Sequence, residues 1–224
     1  VYRGEKAPDE GVRPETLTLL HPDPIGGWTS LLSIPRDTLV DLPTLPDGTP
    51  LGQSKINTAF ARGYENAESF GAETLPTAAG AALAADTVEQ FLGLREQGQR
   101  INYVATINFN GFAKMIDAIG GITVDVPFEI VDTEYPTEDF GYTTIRIPAG
   151  QQQMDGKTAL QYVRTRHADS DFGRAQRQQQ VIQAIVRKLR DQPLLLRPIS
   201  ALRLIDAAGD ATKTTLPVGR LDAL

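Results

Sequence analysis

Cysteine is absent from the sequence. That absence removes disulfide staples, thiolate nucleophiles and cysteine-based zinc sites together, and leaves the redox compartment open. Histidine is scarce. His21 falls in a proline-flanked loop and His167 in an arginine-rich segment, so neither supports a metal centre or a catalytic triad; both read by default as loop-surface histidines, and His167 at most as a pH-sensitive neighbour of a bound phosphate. Aromatic residues make up 7% of the chain with a single tryptophan, Trp28; Trp28 and the acidic 129–139 stretch read equally as a packed ring with a solvated loop or as the lining of a sugar groove. No stretch approaches the ~18 uninterrupted apolar residues of a membrane span, and no basic-then-apolar leader opens the sequence, which therefore reads as soluble. Positive charge is in deficit, 22 Lys and Arg against 28 Asp and Glu for a net charge of −6, which argues against a general nucleic-acid coat.

What is present is the composition of an ordinary globular chain: 41% hydrophobic and 22% charged residues, with 20 Gly and 15 Pro to supply turns. At 224 residues a single domain spanning 1–224, with its core at about 13–190, is the expectation. Apolar and β-branched runs at Thr16–Leu20, Trp28–Ile34, Ile101–Phe109, Gly121–Val126 and Thr143–Ile147 predict strands. Asn57–Phe70, the Pro-opened and Ala-rich Pro76–Leu92, and Asn110–Ile119 predict helices. After Asp171, the spacing of Val181, Ile182, Ile185, Val186 and Leu189 predicts a helix with a core-facing stripe. Leu202, Ile205 and Leu216 suggest one last helix and an edge strand. Helices interleaved with strands indicate an α/β fold, a mixed central β-sheet flanked by helices on both faces in α/β/α layers.

Charge is segregated. Residues 160–190 hold six Arg and one Lys against Asp169 and Asp171, whereas residues 121–160 hold seven acidic groups against Arg146 and Lys157. Arginine offers a planar donor fork that matches phosphate or carboxylate oxygens in pairs, so the basic segment reads as an anion site or as a solvated basic face. Within it, Arg164 and Arg166 are two apart and, if extended, face the same way. Asp171 is placed to cap the following helix, which carries Arg174, Arg177 and Gln178 near that face. The positive end of that helix adds to the guanidinium groups. A second cluster, Arg36-Asp37 after Pro35 at a strand end, displays another guanidinium where ligands of α/β sheets commonly bind, or forms a turn with a surface salt bridge. Lys55 precedes Asn57, a candidate helix cap. A nucleic-acid regulator using residues 160–190 is disfavoured, since Asp169 and Asp171 interrupt the cluster and no helix-turn-helix pattern is evident.

Five motifs, in order, resemble the LytR-CpsA-Psr envelope proteins: LLSIPRDT at 31–38, KINTAF at 55–60, AIGGITV at 118–124, DGKTAL at 155–160, and the Arg-x-Arg…Asp-x-Gly-Arg-x-x-Arg-Gln string at 164–178. The resemblance covers about Arg13 to Leu189. It implies a phosphotransferase that moves a glycopolymer from a polyprenyl-diphosphate carrier to peptidoglycan, with a pyrophosphatase side activity as a further expectation. The alternative is a polyprenyl-(di)phosphate binding module or envelope regulator without turnover. It also implies a catalytic domain outside the bacterial cytoplasmic membrane, anchored by one N-terminal helix that this chain lacks, and no nucleic-acid partner. By motif, Arg36, Arg164, Arg166, Arg174 and Gln178 resemble the diphosphate-binding residues, with Lys55 and Arg177 beside them. Asp37 and Asp171 resemble the carboxylates that orient those arginines, and Arg36, Asp37, Asp171 and Arg174 are the expected catalytic set. Mg²⁺ is the implied cofactor. Arg13-Pro14-Glu15-Thr16 stands where the family usually has Arg-Ser/Ala-Asp-Thr, which makes Glu15 the metal-ligand candidate. The family's first-strand Asp-x-Arg has Val1-Tyr2-Arg3 as its counterpart.

Overall fold

Ten strands and five α-helices form among the residues that the structure, a computed structural model, describes: 13–22, 29–137, 141–165, 171–191 and 212–214. In chain order these are β1 (Leu17–Pro22), β2 (Thr29–Ile34), β3 (Leu39–Asp41), β4 (Gln53–Lys55), α1 (Thr58–Glu65), α2 (Pro76–Phe91), β5 (Ala105–Ile107), α3 (Phe109–Ala118), β6 (Ile122–Val126), β7 (Ile130–Pro136), β8 (Tyr142–Ile147), β9 (Gly150–Met154), α4 (Gly156–Arg164), α5 (Asp171–Asp191) and β10 (Thr212–Thr214). The expected α/β class holds. Strand pairing among the described residues differs from the expected mixed central sheet: it consists of five two-stranded antiparallel ladders, β1–β2, β3–β4, β5–β10, β6–β9 and β7–β8, with no parallel pair among them. The chain divides into two compact units, one reaching Asn108 and including Thr212–Thr214, the other running from Phe109 to Asp191.

In the first unit, Ile34, Val40, Leu42, Leu45, Ile56, Ala59, Leu83 and Val88 form a continuous buried cluster, and each fully buried aliphatic side chain there contributes on the order of 1.5–3 kcal/mol. The expected helix 57–70 is interrupted at Asn66, whose side-chain Nδ2 donates to Arg62 O at 2.7 Å, and a short 3₁₀ turn, Ala67–Phe70, follows. Proline at the first position opens α2, as anticipated. Helices α1 and α2 cross in backbone contact: a Cβ on Gly63 would lie 2.5 Å from Ala79 O, and one on Gly80 2.7 Å from Phe60 O. The strand expected at 101–109 contracts to Ala105–Ile107, because Phe109 opens α3. His21 lies in β1 rather than in a loop.

One buried carboxylate organises the segment after α2. Glu89, 4% exposed, accepts from Arg95 Nε (2.7 Å), Arg100 Nη1 (2.9 Å) and the Ile101 backbone N–H (2.7 Å). Burial alone would raise its carboxyl, but the bonds from Arg95, Ile101 and Arg100 outweigh it and hold the group below the usual carboxylate range.

In the second unit, β6 alternates as its sequence requires, with Ile122, Val124 and Val126 inward and Thr123 and Asp125 outward. Between Asp132 and Tyr135 the β7–β8 register shifts, so both residues, three apart, are buried. Helix α4 was not anticipated. Its N-cap, Asp155, accepts from Thr158 N at 2.7 Å, and Gly156 N donates to Asp117 Oδ1 at 2.7 Å. At Gly156 the chain touches α3 so closely that a Cβ would sit 2.1 Å from Ala113 O. Arg164, expected in an extended segment, is instead the last residue of α4. Of the α5 stripe, Val181 is buried while Val186 is 41% exposed; Ala184 replaces it on the inner face. Leu202, Ile205 and Leu216 lie outside the described residues.

Two outcomes follow from this packing. Gly156→Ala is expected to lower stability by about 1–3 kcal/mol, read as a shift of the urea midpoint, while Ala78→Ser on the exposed side of α2 changes it by less than about 0.5 kcal/mol. Because the folded Glu89 pKa is depressed, its contribution is complete above the unfolded value of about 4.3 and is lost as pH falls through the folded value. Wild type should therefore exceed Glu89→Gln in stability most at neutral pH, with the gap closing as the pH falls below about 4.3.

Candidate anion-binding site

Two polar clusters gather most of the candidate residues, one in each unit. In the first, Pro35–Thr38 forms a turn closed by Thr38 N to Pro35 O (3.0 Å) and by Thr38 Oγ1 to the same oxygen (2.7 Å). The turn presents Arg36 and Asp37 side by side. Backbone bonds from Ile56 N to Thr38 O (2.8 Å) and from Asn57 N to Arg36 O (3.2 Å) bring the Lys55-Ile-Asn57 motif against it. A charge chain results: Glu15 Oε2 lies 2.5 Å from Arg36 Nη1, Arg36 Nε 3.3 Å from Asp37 Oδ2, and Asp37 Oδ1 2.7 Å from Lys55 Nζ. The Lys55 hydrogen bond, with Arg36's charge, holds the Asp37 carboxyl below its ordinary range against the opposing effect of burial. Two cations and two carboxylates alternate, so Arg36 is oriented and also largely compensated.

The second cluster surrounds the C-terminal end of α4. Arg164 leaves the helix and lies over the Phe109 ring, 4.2 Å from its centroid, and over the Tyr135 ring at 5.3 Å; its Nη1 donates to Tyr135 Oη at 3.3 Å. Among the described residues no carboxylate bonds it. Burial pushes the Tyr135 phenol upward, with Arg164's charge opposing, so the hydroxyl stays protonated. Next in sequence, Thr165 is 1% exposed and donates through Oγ1 to Asp132 Oδ2, while Asp132 Oδ1 accepts Glu134 N at 3.0 Å. Helix α5 supplies Arg174 and Gln178, both half-buried, and Gln178 Nε2 lies 3.5 Å from Val163 O.

Arg177 does not join the ligand-binding group expected of it. It is 3% exposed, with Nε donating to Tyr162 O (2.8 Å) and Nη2 to Thr165 O (2.6 Å). Those are carbonyls at the end of α4 that no further helical turn satisfies. Tyr162, fully buried, donates its hydroxyl to Gln180 Oε1 at 2.6 Å. Asp171 opens α5; its side chain, like Arg166, His167, Asp169 and Trp28, lies outside the described residues. Phe109, Tyr135, Asp132 and Thr165 were missed. Tyr135 sits in a run dominated by Asp and Glu, and the alternation set by Ile130 and Asp132 would turn it outward but for the register shift between Asp132 and Tyr135.

The implied magnesium was tested against these groups. No three His, Asp or Glu side chains gather as a metal site among the described residues, and the side-chain partner of Glu15 there is Arg36. A hard cation needs several oxygen ligands, so the described donor set does not fit one.

The model for the LytR_cpsA_psr family matches residues 3–224. The chain is 32% identical over 179 residues to the polyisoprenyl-teichoic acid–peptidoglycan teichoic acid transferase TagV of Bacillus subtilis, covering 79% of this chain and 39% of that protein. It is 31% identical over 216 residues to the TagU transferase of Enterococcus faecalis, covering 95% of this chain and 58% of that one. The chain thus spans roughly half the length of the curated relatives it matches. Among solved structures, B. subtilis TagV superposes with a TM-score of 0.68 at 27% identity, over 95% of this chain and 70% of the other. TagT bound to LI-WTA superposes with 0.63 at 25% identity, over 95% and 67%.

The contrast between the half-buried Arg164 and the buried Arg177 is measurable. Arg177→Met strands two carbonyls and is expected to cost about 3 kcal/mol, the order of two hydrogen bonds from a charged donor. Arg164→Met, losing ring contacts, should cost about 1 kcal/mol or less; denaturant midpoints of the two variants compare them directly.

Proposed function

Because the chain belongs to the LytR_cpsA_psr family, we propose that it is a phosphotransferase that moves a glycopolymer from a polyprenyl-diphosphate carrier to peptidoglycan. The single-domain organisation is part of this reading, since the family model runs through both units. The observation that carries it is Arg164, a guanidinium held by two aromatic faces with no described carboxylate to neutralise it, and so open to an incoming diphosphate. Arg174 and Gln178 on α5 add donors of the same polarity. In the first unit Arg36 and Lys55 serve the same class of ligand. Asp37, bonded by both, is a weak base and acts by orienting them.

A diphosphate link is its own good leaving group, so the protein's work is to hold charge and align the acceptor. The acceptor hydroxyl oxygen forms a new P–O bond to the sugar-bearing phosphorus. The bridging P–O bond breaks in line, and polyprenyl monophosphate departs with the electron pair. Guanidinium groups stabilise the charge growing on the equatorial and leaving oxygens. The hydroxyl proton passes to a carboxylate, for which Asp171 is the candidate. Arg166 belongs with the diphosphate-binding group by its motif. Mg²⁺ enters as a variable of the assay.

The relatives' names place them in cell-wall assembly. The carrier is a membrane lipid, so this domain is proposed to work at the extracytoplasmic face of the bacterial membrane, tethered by an N-terminal helix. No helix among the described residues is long and apolar enough to cross a membrane.

Incubation with a lipid-linked glycan and peptidoglycan, with and without Mg²⁺, should transfer polymer, and Arg164→Ala should slow transfer by about 10²–10³-fold. Tight lipid binding with no transfer under either condition would identify a polyprenyl-diphosphate binding module instead.

A further inference from the structure

The route by which Arg164 is held suggests functional residues outside the arginine string. A guanidinium at the end of a helix has four flexible side-chain torsions and a strong tendency to pair with any carboxylate nearby. Here Asp132 and Glu134 are on the neighbouring strand β7, yet neither bonds Arg164. Asp132 is fully buried, with Oδ1 accepting Glu134 N and Oδ2 accepting Thr165 Oγ1. The carboxylate that could neutralise Arg164 is therefore engaged elsewhere, and the bond it makes fixes the residue immediately after Arg164. The register shift between Asp132 and Tyr135 then turns the Tyr135 ring inward on the same strand. Its face and that of Phe109, the first residue of α3, flank the guanidinium at 5.3 and 4.2 Å. Aromatic faces attract a cation through their quadrupole without cancelling its charge.

We infer that Phe109 and Tyr135 form an aromatic clamp, with the Asp132–Thr165 bond as its anchor, that holds Arg164 as an oriented cation, compensated by no carboxylate among the described residues, for an anionic diphosphate. These are positioning residues that act through Arg164, and the assignment rests on the diphosphate reading above. The clamp separates two duties that a salt bridge would merge. It restricts the guanidinium in advance, so less side-chain freedom is lost on binding, while leaving the positive charge for the ligand. Arg36 is held the other way, by Glu15 and Asp37, so the two arginines differ in kind.

The test uses the whole chain and inorganic pyrophosphate as the probe. In wild type, the Arg164 side-chain proton resonances should be shifted upfield by the rings, and Phe109→Leu should remove much of that shift. Calorimetric pyrophosphate affinity should fall about fivefold to tenfold in Phe109→Leu and in Tyr135→Leu, the order of one cation–π contact each. Tyr135→Phe, which keeps the ring, should restore most of it and guards against a folding defect in the leucine variant. In an Arg164→Ala background Phe109→Leu should have no further effect. If it does, the rings act independently of Arg164 and the clamp is wrong. If Arg164→Ala weakens pyrophosphate binding but both leucine variants bind as wild type, the positioning role falls and the diphosphate reading survives. If the ring shift is present but Arg164→Ala leaves pyrophosphate binding unchanged, the diphosphate reading itself falls, and the inference with it.

Discussion

A buried guanidinium bonded to backbone carbonyls underlies the second unit. Arg177 reaches from α5 to the last carbonyls of α4, Tyr162 O and Thr165 O, and so stops that helix at a defined place. An unpaired charge at such a site would cost several kcal/mol, so the contact tolerates little displacement. From it the rest follows in sequence. Thr165 is pinned between Arg177 and Asp132, and Asp132 is committed to Thr165 and to the bulge of β7. Tyr135 turns inward beyond that bulge, and Arg164, one residue before Thr165, meets its ring. A residue that the sequence offers as a ligand contact thus bonds the chain on either side of Arg164.

The first unit solves a similar problem with different means. Glu89 is buried as Arg177 is, and it too gathers loose chain: Arg95, Arg100 and the Ile101 amide converge on one carboxylate. In both units a buried charge bonded to the backbone helps define where the chain runs. The exposed charges do something else. Glu15, Arg36, Asp37 and Lys55 form a chain of alternating sign at partial exposure, where pairing contributes little to stability and mainly sets direction.

Much of this was legible. The period-two alternation of Ile122, Val124 and Val126 marked β6, and proline at the first position with Ala-rich packing marked α2, because in each case local preference and burial agree. The Arg36–Asp37–Lys55 grouping was legible as separate motifs, and two backbone bonds join them. Helix α4 was overlooked although Asp155 and Thr158 form a capping pair and Ala159, Tyr162 and Val163 share a face; two arginines two apart drew attention to an extended reading of its end. Three of the five residues of strand β9 are glutamine, so burial alternation has only Met154 to show. Tyr135 was hidden because a register shift breaks the period that would have marked it. Arg177 was misplaced because charge predicts exposure by default, and only the geometry of a helix end shows when a cation is needed inside.

The Glu15–Arg36 contact has a consequence for selectivity. An anion that arrives there does not meet a bare cation but one whose Nη1 already faces a tethered carboxylate at 2.5 Å. An oxygen that takes Nη1 would have to displace that carboxylate, a swap against a competitor of high effective concentration. Chloride or a simple monocarboxylate gains little from such a swap. A polyanion that keeps the guanidinium and reaches a second cation as well has the surplus needed to complete it.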